Sequence, residues 1–85
     1  MARTFNTWKS QTMVRLIAIE TAHKGDAKIK RDVDTLITKL TYLKAKELHT
    51  FLALVYEAAK DCEEFLSVIP SEEEIIQWIE KGGEE

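Results

Sequence analysis

The chain has few of the residues that break or cross-link small folds: one cysteine, one proline and three glycines among 85 residues. One cysteine cannot form an internal disulfide, which excludes the disulfide-stabilised scaffolds common among small secreted domains. All-β proteins need many turns, which Gly and Pro usually supply, so the scarcity of both disfavours an all-β fold.

Long apolar runs are also missing. No stretch approaches the roughly 18 consecutive apolar residues that a membrane-spanning helix needs. Near the N-terminus, Arg3, Lys9 and Arg15 interrupt any apolar segment that could serve as the core of a signal peptide. We therefore expect no membrane contact and predict a cytoplasmic location.

The composition is that of a folded protein, with 45% apolar and 32% charged residues. No repeat or linker is visible, so residues 1–85 are predicted to form a single domain. A domain of this size buries only about 60% of its unfolded surface, and the large apolar side chains exceed what a small monomer can cover. We predict an all-α fold, a small bundle of three to four helices that is completed by self-association.

Two segments carry the apolar stripe of an amphipathic helix. In residues 27–42 the stripe consists of Ile29, Val33, Leu36, Ile37 and Leu40. In residues 46–67 it consists of Leu48, Phe51, Leu52, Val55, Ala59, Cys62 and Leu66. No Gly or Pro separates the segments, so one continuous helix is an alternative. We favour two helices, because roughly 40 uninterrupted helical residues would need a partner to cover them.

Residues 5–24 are apolar on almost all sides around the run Met13–Ile19. This run fits a buried strand as well as a buried helix, and its β-branched residues keep the strand alternative open. We favour a helix because no Gly or Pro occurs before Gly25, with Asn6 or Thr7 as its N-cap. A helix of this kind should lie centrally or against a second subunit.

Two places carry clear helix-boundary signals. Gly25 suits the left-handed position after a helix, and Asp26 suits the N-cap of the next. Ser71 and Glu74 have the spacing of a capping box, which predicts a helix over residues 71–81.

Charge is divided unevenly along the chain. Residues 1–50 contain ten Lys and Arg against five Asp and Glu, whereas residues 51–85 contain two against ten. Such a division indicates an acidic or nucleic-acid partner for the basic half, or attraction between the two halves within one chain or between two. On a helical wheel, four basic residues form a candidate ridge for nucleic acid or an acidic partner: Lys28, Arg31, Lys39 and Lys46.

No motif indicates catalysis, a cofactor or a metal. His23 and His49 stand alone, without the short ligand spacings of zinc sites, and Cys62 is interpreted as a small buried apolar residue. Because Glu63 and Glu64 follow Cys62, their charges oppose thiolate formation. We expect no catalytic residues, no cofactor and no metal ligand.

Trp8 and Trp78 are candidate interface anchors, since Trp is enriched at binding hot spots. The favoured interpretation is a non-enzymatic helical protein–protein interaction module that self-associates and acts as a regulator, inhibitor or adaptor. The alternative is a small helical subunit of a nucleoprotein complex that contacts RNA or DNA through the basic ridge.

Overall fold

The computed structural model describes residues 3–81. Within this range the chain forms four α-helices and no strand: α1 (Phe5–Ala22), α2 (Ala27–Thr41), α3 (Leu48–Ala59) and α4 (Glu72–Glu80). Two 3₁₀ helices, Ala45–Glu47 and Glu63–Val68, flank α3. The all-α prediction is confirmed, and the run Met13–Ile19 lies inside α1, which excludes the strand alternative.

Local side-chain chemistry fixes most of the helix starts. The Asp26 carboxylate accepts hydrogen bonds from the first backbone amides of α2, directly after Gly25, whose φ of 97° favours glycine. Ser71 and Glu74 form the predicted capping box at the start of α4. The predicted N-cap of α1 is wrong by two or three residues, because Thr4 occupies that position and accepts from the amide of Thr7.

The segments at 27–42 and 46–67 are separate, as favoured from the sequence. α2 ends at Thr41, and the following residues turn inward so that Leu43 and Ala45 are buried. If α2 continued straight, Leu43 and Ala45 could not both be buried. The helix therefore breaks before them.

The predicted third helix is too long at both ends. α3 covers only Leu48–Ala59, and the backbone is extended at Cys62 before the second 3₁₀ helix begins. Cys62, Phe65 and Val68 are buried at intervals of three, and this spacing places them on one side of a helix with three residues per turn. In an α-helix each step would rotate by about 60°. Leu66, assigned to the apolar stripe, is therefore exposed.

A cluster of aromatic rings forms one end of the core. Trp8 packs against Phe5, Phe51 and Trp78 with ring centroids 5.6–5.8 Å apart. Both indole N–H groups donate to backbone carbonyls, that of Trp8 to Val68 at 2.8 Å and that of Trp78 to Arg3 at 2.9 Å. Burial with a satisfied polar atom is the favourable arrangement for Trp.

An ion pair joins the N-terminal segment to α4. The Arg3 guanidinium donates to both carboxylate oxygens of Glu74 at 2.9 Å, and the Arg3 backbone amide donates to one of them at 3.2 Å. This hydrogen bonding lowers the pKa of Glu74 to about 2. Glu74 therefore both caps α4 and holds the segment before α1 in place.

Candidate functional site

Three potential ligands converge where two turns meet. His23 ends α1, and its backbone amide donates to Ile19. Cys62 and Glu64 come from the junction between α3 and the second 3₁₀ helix, where the Cys62 amide donates to Ala58. α1 packs against the second 3₁₀ helix, so the end of α1 lies beside this junction.

The donor atoms of this cluster lie within 4.8 Å of one another. The Cys62 Sγ is 3.5 Å from the His23 Nε2 and 3.6 Å from the Glu64 Oε1. The same Nε2 and Oε1 are 2.5 Å apart. Cys62 is buried, with 8% of its surface exposed, whereas His23 is half-buried and Glu64 is exposed. The cluster therefore has a buried sulfur and an open outer side.

The electrostatics of the cluster disfavour a nucleophilic thiolate. Burial raises the pKa of the Cys62 thiol, and the negative charges of Glu64 and Asp26 raise it further. The hydrogen bond with His23 lowers the pKa of Glu64, so this carboxylate stays ionised beside the sulfur. The imidazole Nε2 is engaged by Glu64 as well as by the thiol, so it is not a dedicated base for Cys62.

No pattern in the sequence brings these residues together. His23 and Cys62 are 39 positions apart, and neither has a second ligand at a spacing typical of zinc sites. His49, the other histidine, is exposed on α3. Only the packing of α1 against the second 3₁₀ helix brings His23 close to Cys62, and no local pattern could have indicated it.

All four residues of the candidate basic ridge are exposed, but Lys46 lies in the first 3₁₀ helix, beyond the end of α2, and not all four are free. Lys28 forms an ion pair with Asp61 at 3.1 Å, and Arg31 lies in the same surface depression as Asp61 and Glu57. Lys39 and Lys46 lie further along the chain, without an ion-pair partner among residues 3–81. The ridge is thus interleaved with acidic residues at one end.

Some of the ion pairs connect the basic half of the chain to its acidic half. Two of those in the described range join the basic half of the chain to the acidic half, Arg3–Glu74 and Lys28–Asp61, and the His23 imidazole contacts Glu64 across the same division. The remaining two are local, Lys30–Asp34 and Lys60–Glu57. Attraction between the halves therefore operates within one chain, which was one of the interpretations left open by the sequence.

A pair of carboxyl groups lies next to the Lys28–Asp61 ion pair. The Asp32 Oδ2 is buried and accepts no hydrogen bond within the described range. Burial, followed by contact with the Asp61 carboxylate, raises the pKa of Asp32. The hydrogen bond from Lys28 lowers the pKa of Asp61. Of the two carboxyl groups, Asp32 therefore holds a proton more readily than Asp61.

Trp8 and Trp78 are core residues. Both rings are buried in the aromatic cluster that joins α1 to α4. The structure thus places both predicted interface anchors in the core, where almost none of either indole is exposed. Their role in the described structure is to fix the packing of helices distant in sequence.

Part of the exposed apolar surface lies on α1, and the other large exposed apolar residues belong to other segments: Tyr42, Tyr56, Leu66 and Ile76. One side of this helix is buried through Phe5, Trp8, Thr12, Leu16 and Ile19. The opposite side, which we call the outer face of α1, consists of Val14, Ile17, Ala18 and Thr21, all exposed. Val14 is 69% exposed and Ile17 51%. At positions i, i+3, i+4 and i+7 these residues form one continuous stripe.

The outer face explains why the segment appears apolar all round in sequence. One stripe of α1 packs on the core, and a second faces outward without a neighbour among residues 3–81. Isolated exposed apolar residues are normal on protein surfaces, whereas a contiguous exposed stripe is a candidate contact surface.

None of the helices described between residues 3 and 81 has the length and apolar character needed to cross a bilayer. No protein family, curated protein or solved structure matches the chain. A function must therefore be inferred from the residues and their geometry alone.

Proposed function

We propose that the protein is a helical interaction module that self-associates through the outer face of α1. The observation that carries this proposal is the exposed stripe of Val14, Ile17, Ala18 and Thr21. The occupant we propose is a second copy of the chain, since each copy supplies the same uncharged helix face. Two helices packed face to face would remove both stripes from water at once.

Charge supports a symmetric apolar contact more than an electrostatic one. The stripe itself carries no ionisable residue, and Arg15 and Glu20 lie on its two flanks. Burying the stripe therefore requires no charged group to be removed from water, which would be costly. A role as regulator, inhibitor or adaptor of another protein is part of the same proposal, with the dimer as the binding unit.

The alternative, a nucleoprotein subunit, has weaker support. Lys28 is paired with Asp61, and the acidic residues near Arg31 would lie close to a bound polyanion. Lys39 and Lys46 alone would give a shallow dependence of affinity on salt, corresponding to about two phosphate contacts. A gel-shift series in salt is the measurement that distinguishes this alternative.

The test of self-association is a matched pair of substitutions. Ile17→Glu places a charge on the outer face of α1, whereas Ile76→Glu places one on α4 at a residue of nearly equal exposure, 51% against 52%. Size-exclusion chromatography with light scattering should report a folded monomer for I17E. The I76E protein should keep the mass of the wild type.

The pair also distinguishes a specific interface from general hydrophobic association. Circular dichroism of I17E should match the wild type, because Ile17 does not contribute to the buried core. If both variants reduce the mass equally, the outer face of α1 is not the contact. If neither reduces it, the proposal is wrong.

A further inference from the structure

The cluster of His23, Cys62 and Glu64 has the chemistry of a transition-metal site. Imidazole nitrogen, thiolate sulfur and carboxylate oxygen are the three side-chain donors that Zn²⁺ uses. Among residues 3–81 this is the one place where three potential metal-ligating side chains converge. Thiolate and imidazole together favour zinc over the oxygen-preferring cations magnesium and calcium.

The distances fit a tetrahedral ion. Zinc bonds of about 2.0–2.3 Å at tetrahedral angles place neighbouring ligand atoms roughly 3.3–3.6 Å apart. The separations of Sγ from Nε2 and from Oε1, 3.5 and 3.6 Å, already satisfy this requirement. Only the Nε2–Oε1 pair, at 2.5 Å, must open. Glu64 is exposed, so a small rotation of its side chain can provide that movement.

We propose that His23, Cys62 and Glu64 bind Zn²⁺, with water as the fourth ligand on the open outer side. On binding, the Cys62 thiol loses its proton to solvent, and the His23 Nε2 binds through its lone pair with the ring hydrogen on Nδ1. The ion replaces the hydrogen bonds that now hold the cluster together. This site is separate from the outer face of α1 and does not depend on it.

A bound ion would add a cross-link between two parts of the fold that are distant in sequence. His23 belongs to the turn after α1, and the other two ligands belong to the segment after α3. Zinc ligation would therefore cross-link positions 39 residues apart, and metal that binds only the folded chain stabilises it. The open fourth position leaves room for a small ligand, as in zinc sites with three protein ligands.

The test uses Co²⁺ as a spectroscopic substitute for Zn²⁺ on the full, reduced and chelator-treated chain. Co²⁺ should give a thiolate-to-cobalt charge-transfer band and the intense visible bands of tetrahedral coordination, and Zn²⁺ should displace it. Cys62→Ser should abolish the charge-transfer band. His23→Gln and Glu64→Gln should each lower the affinity for Co²⁺ by about tenfold or more. Removing a direct ligand should cost at least as much affinity as removing a residue that only hydrogen-bonds to a ligand.

Matched controls are available in the same chain. His49→Gln removes the other histidine, and Glu63→Gln removes the neighbouring exposed carboxylate. Both should bind Co²⁺ within about twofold of the wild type. Circular dichroism of the metal-free variants verifies their folding. Because His23 and Glu64 are not core residues, H23Q and E64Q remain informative if C62S unfolds. The absence of a charge-transfer band in the wild type, or equal affinities across all five variants, would overturn the proposal.

Discussion

The ion pair between Arg3 and Glu74 is predicted to be a major source of stability. Glu74→Gln removes its charge but keeps a side chain that can complete a capping box, so the variant tests the ionised carboxylate together with the groups that donate to it. Lowering the pKa of Glu74 from 4.5 to about 2 corresponds to about 3.4 kcal/mol. Because the Arg3 side chain is 36% exposed, solvent screening reduces the expected loss to about 2 kcal/mol.

The pH dependence gives this prediction its sign. The folded-state pKa of Glu74 lies below its unfolded value, so its contribution is complete above about pH 4.5 and disappears as the pH falls through about 2. The stability difference between the wild type and E74Q should therefore be largest at neutral pH and shrink between pH 5 and 2. Thermal melts followed by circular dichroism should show E74Q melting about 8–16 °C lower at pH 7.

The matched control is Glu73→Gln, which removes the same charge from the same turn of α4. Glu73 is exposed and has no ion-pair partner within residues 3–81, so its loss should cost at most the helix-dipole contribution, under about 1 kcal/mol. Equal melting temperatures for E74Q and E73Q at pH 7 would refute the reasoning. A difference that stays constant down to pH 2 would refute it as well.

Two further substitutions test the core and the carboxyl pair. Asp32→Asn should stabilise the protein by about 1 kcal/mol at pH 7, since the Asn amide can donate to Asp61 where ionised Asp32 cannot. Because the pKa of Asp32 is raised in the folded state, its contribution to wild-type stability is complete below about pH 3.8 and is lost as the pH rises through the folded-state pKa. The stability gained by D32N should therefore vanish in acid. Destabilisation by D32N in urea denaturation at pH 7 would contradict this. Trp8→Phe should lower the free energy of unfolding by about 3 kcal/mol in the same assay, because it leaves a cavity and removes the donor to the Val68 carbonyl. A decrease below about 1 kcal/mol would show that this hydrogen bond and the filled volume matter little.

The sequence predicts best those elements whose signals are local. α2 follows from its apolar stripe and from Asp26, and α4 follows from the capping box of Ser71 and Glu74. In both, the residues that define the helix contact neighbours three or four positions away. Such contacts can be read from spacing alone.

The end of α3 could not be predicted in the same way. Intervals of three and four alternate in α-helical stripes, so Cys62, Phe65 and Val68 do not by themselves indicate a 3₁₀ helix. The break depends on how these side chains pack under α1, as shown by the hydrogen bond from Trp8 to Val68. That contact spans 60 positions.

The candidate sites were missed or misplaced for the same reason. The convergence of His23 with Cys62 and the pairing of Arg3 with Glu74 join residues 39 and 71 positions apart. The apolar character of α1 was visible in sequence, but the side left uncovered was not. The tryptophans were assigned to an interface because composition cannot distinguish a core anchor from a surface anchor.

Sedimentation equilibrium of the wild-type chain over a wide concentration range, with a chelator present, tests the central claim most directly. The chelator keeps any metal from linking chains, so the measured mass reports protein contacts alone. We predict that the mass rises with concentration from that of one chain, 9.8 kDa, towards that of two, and that I17E stays at one. A wild-type mass that remains that of a single chain at the highest concentration would contradict the proposal that the outer face of α1 binds a second copy.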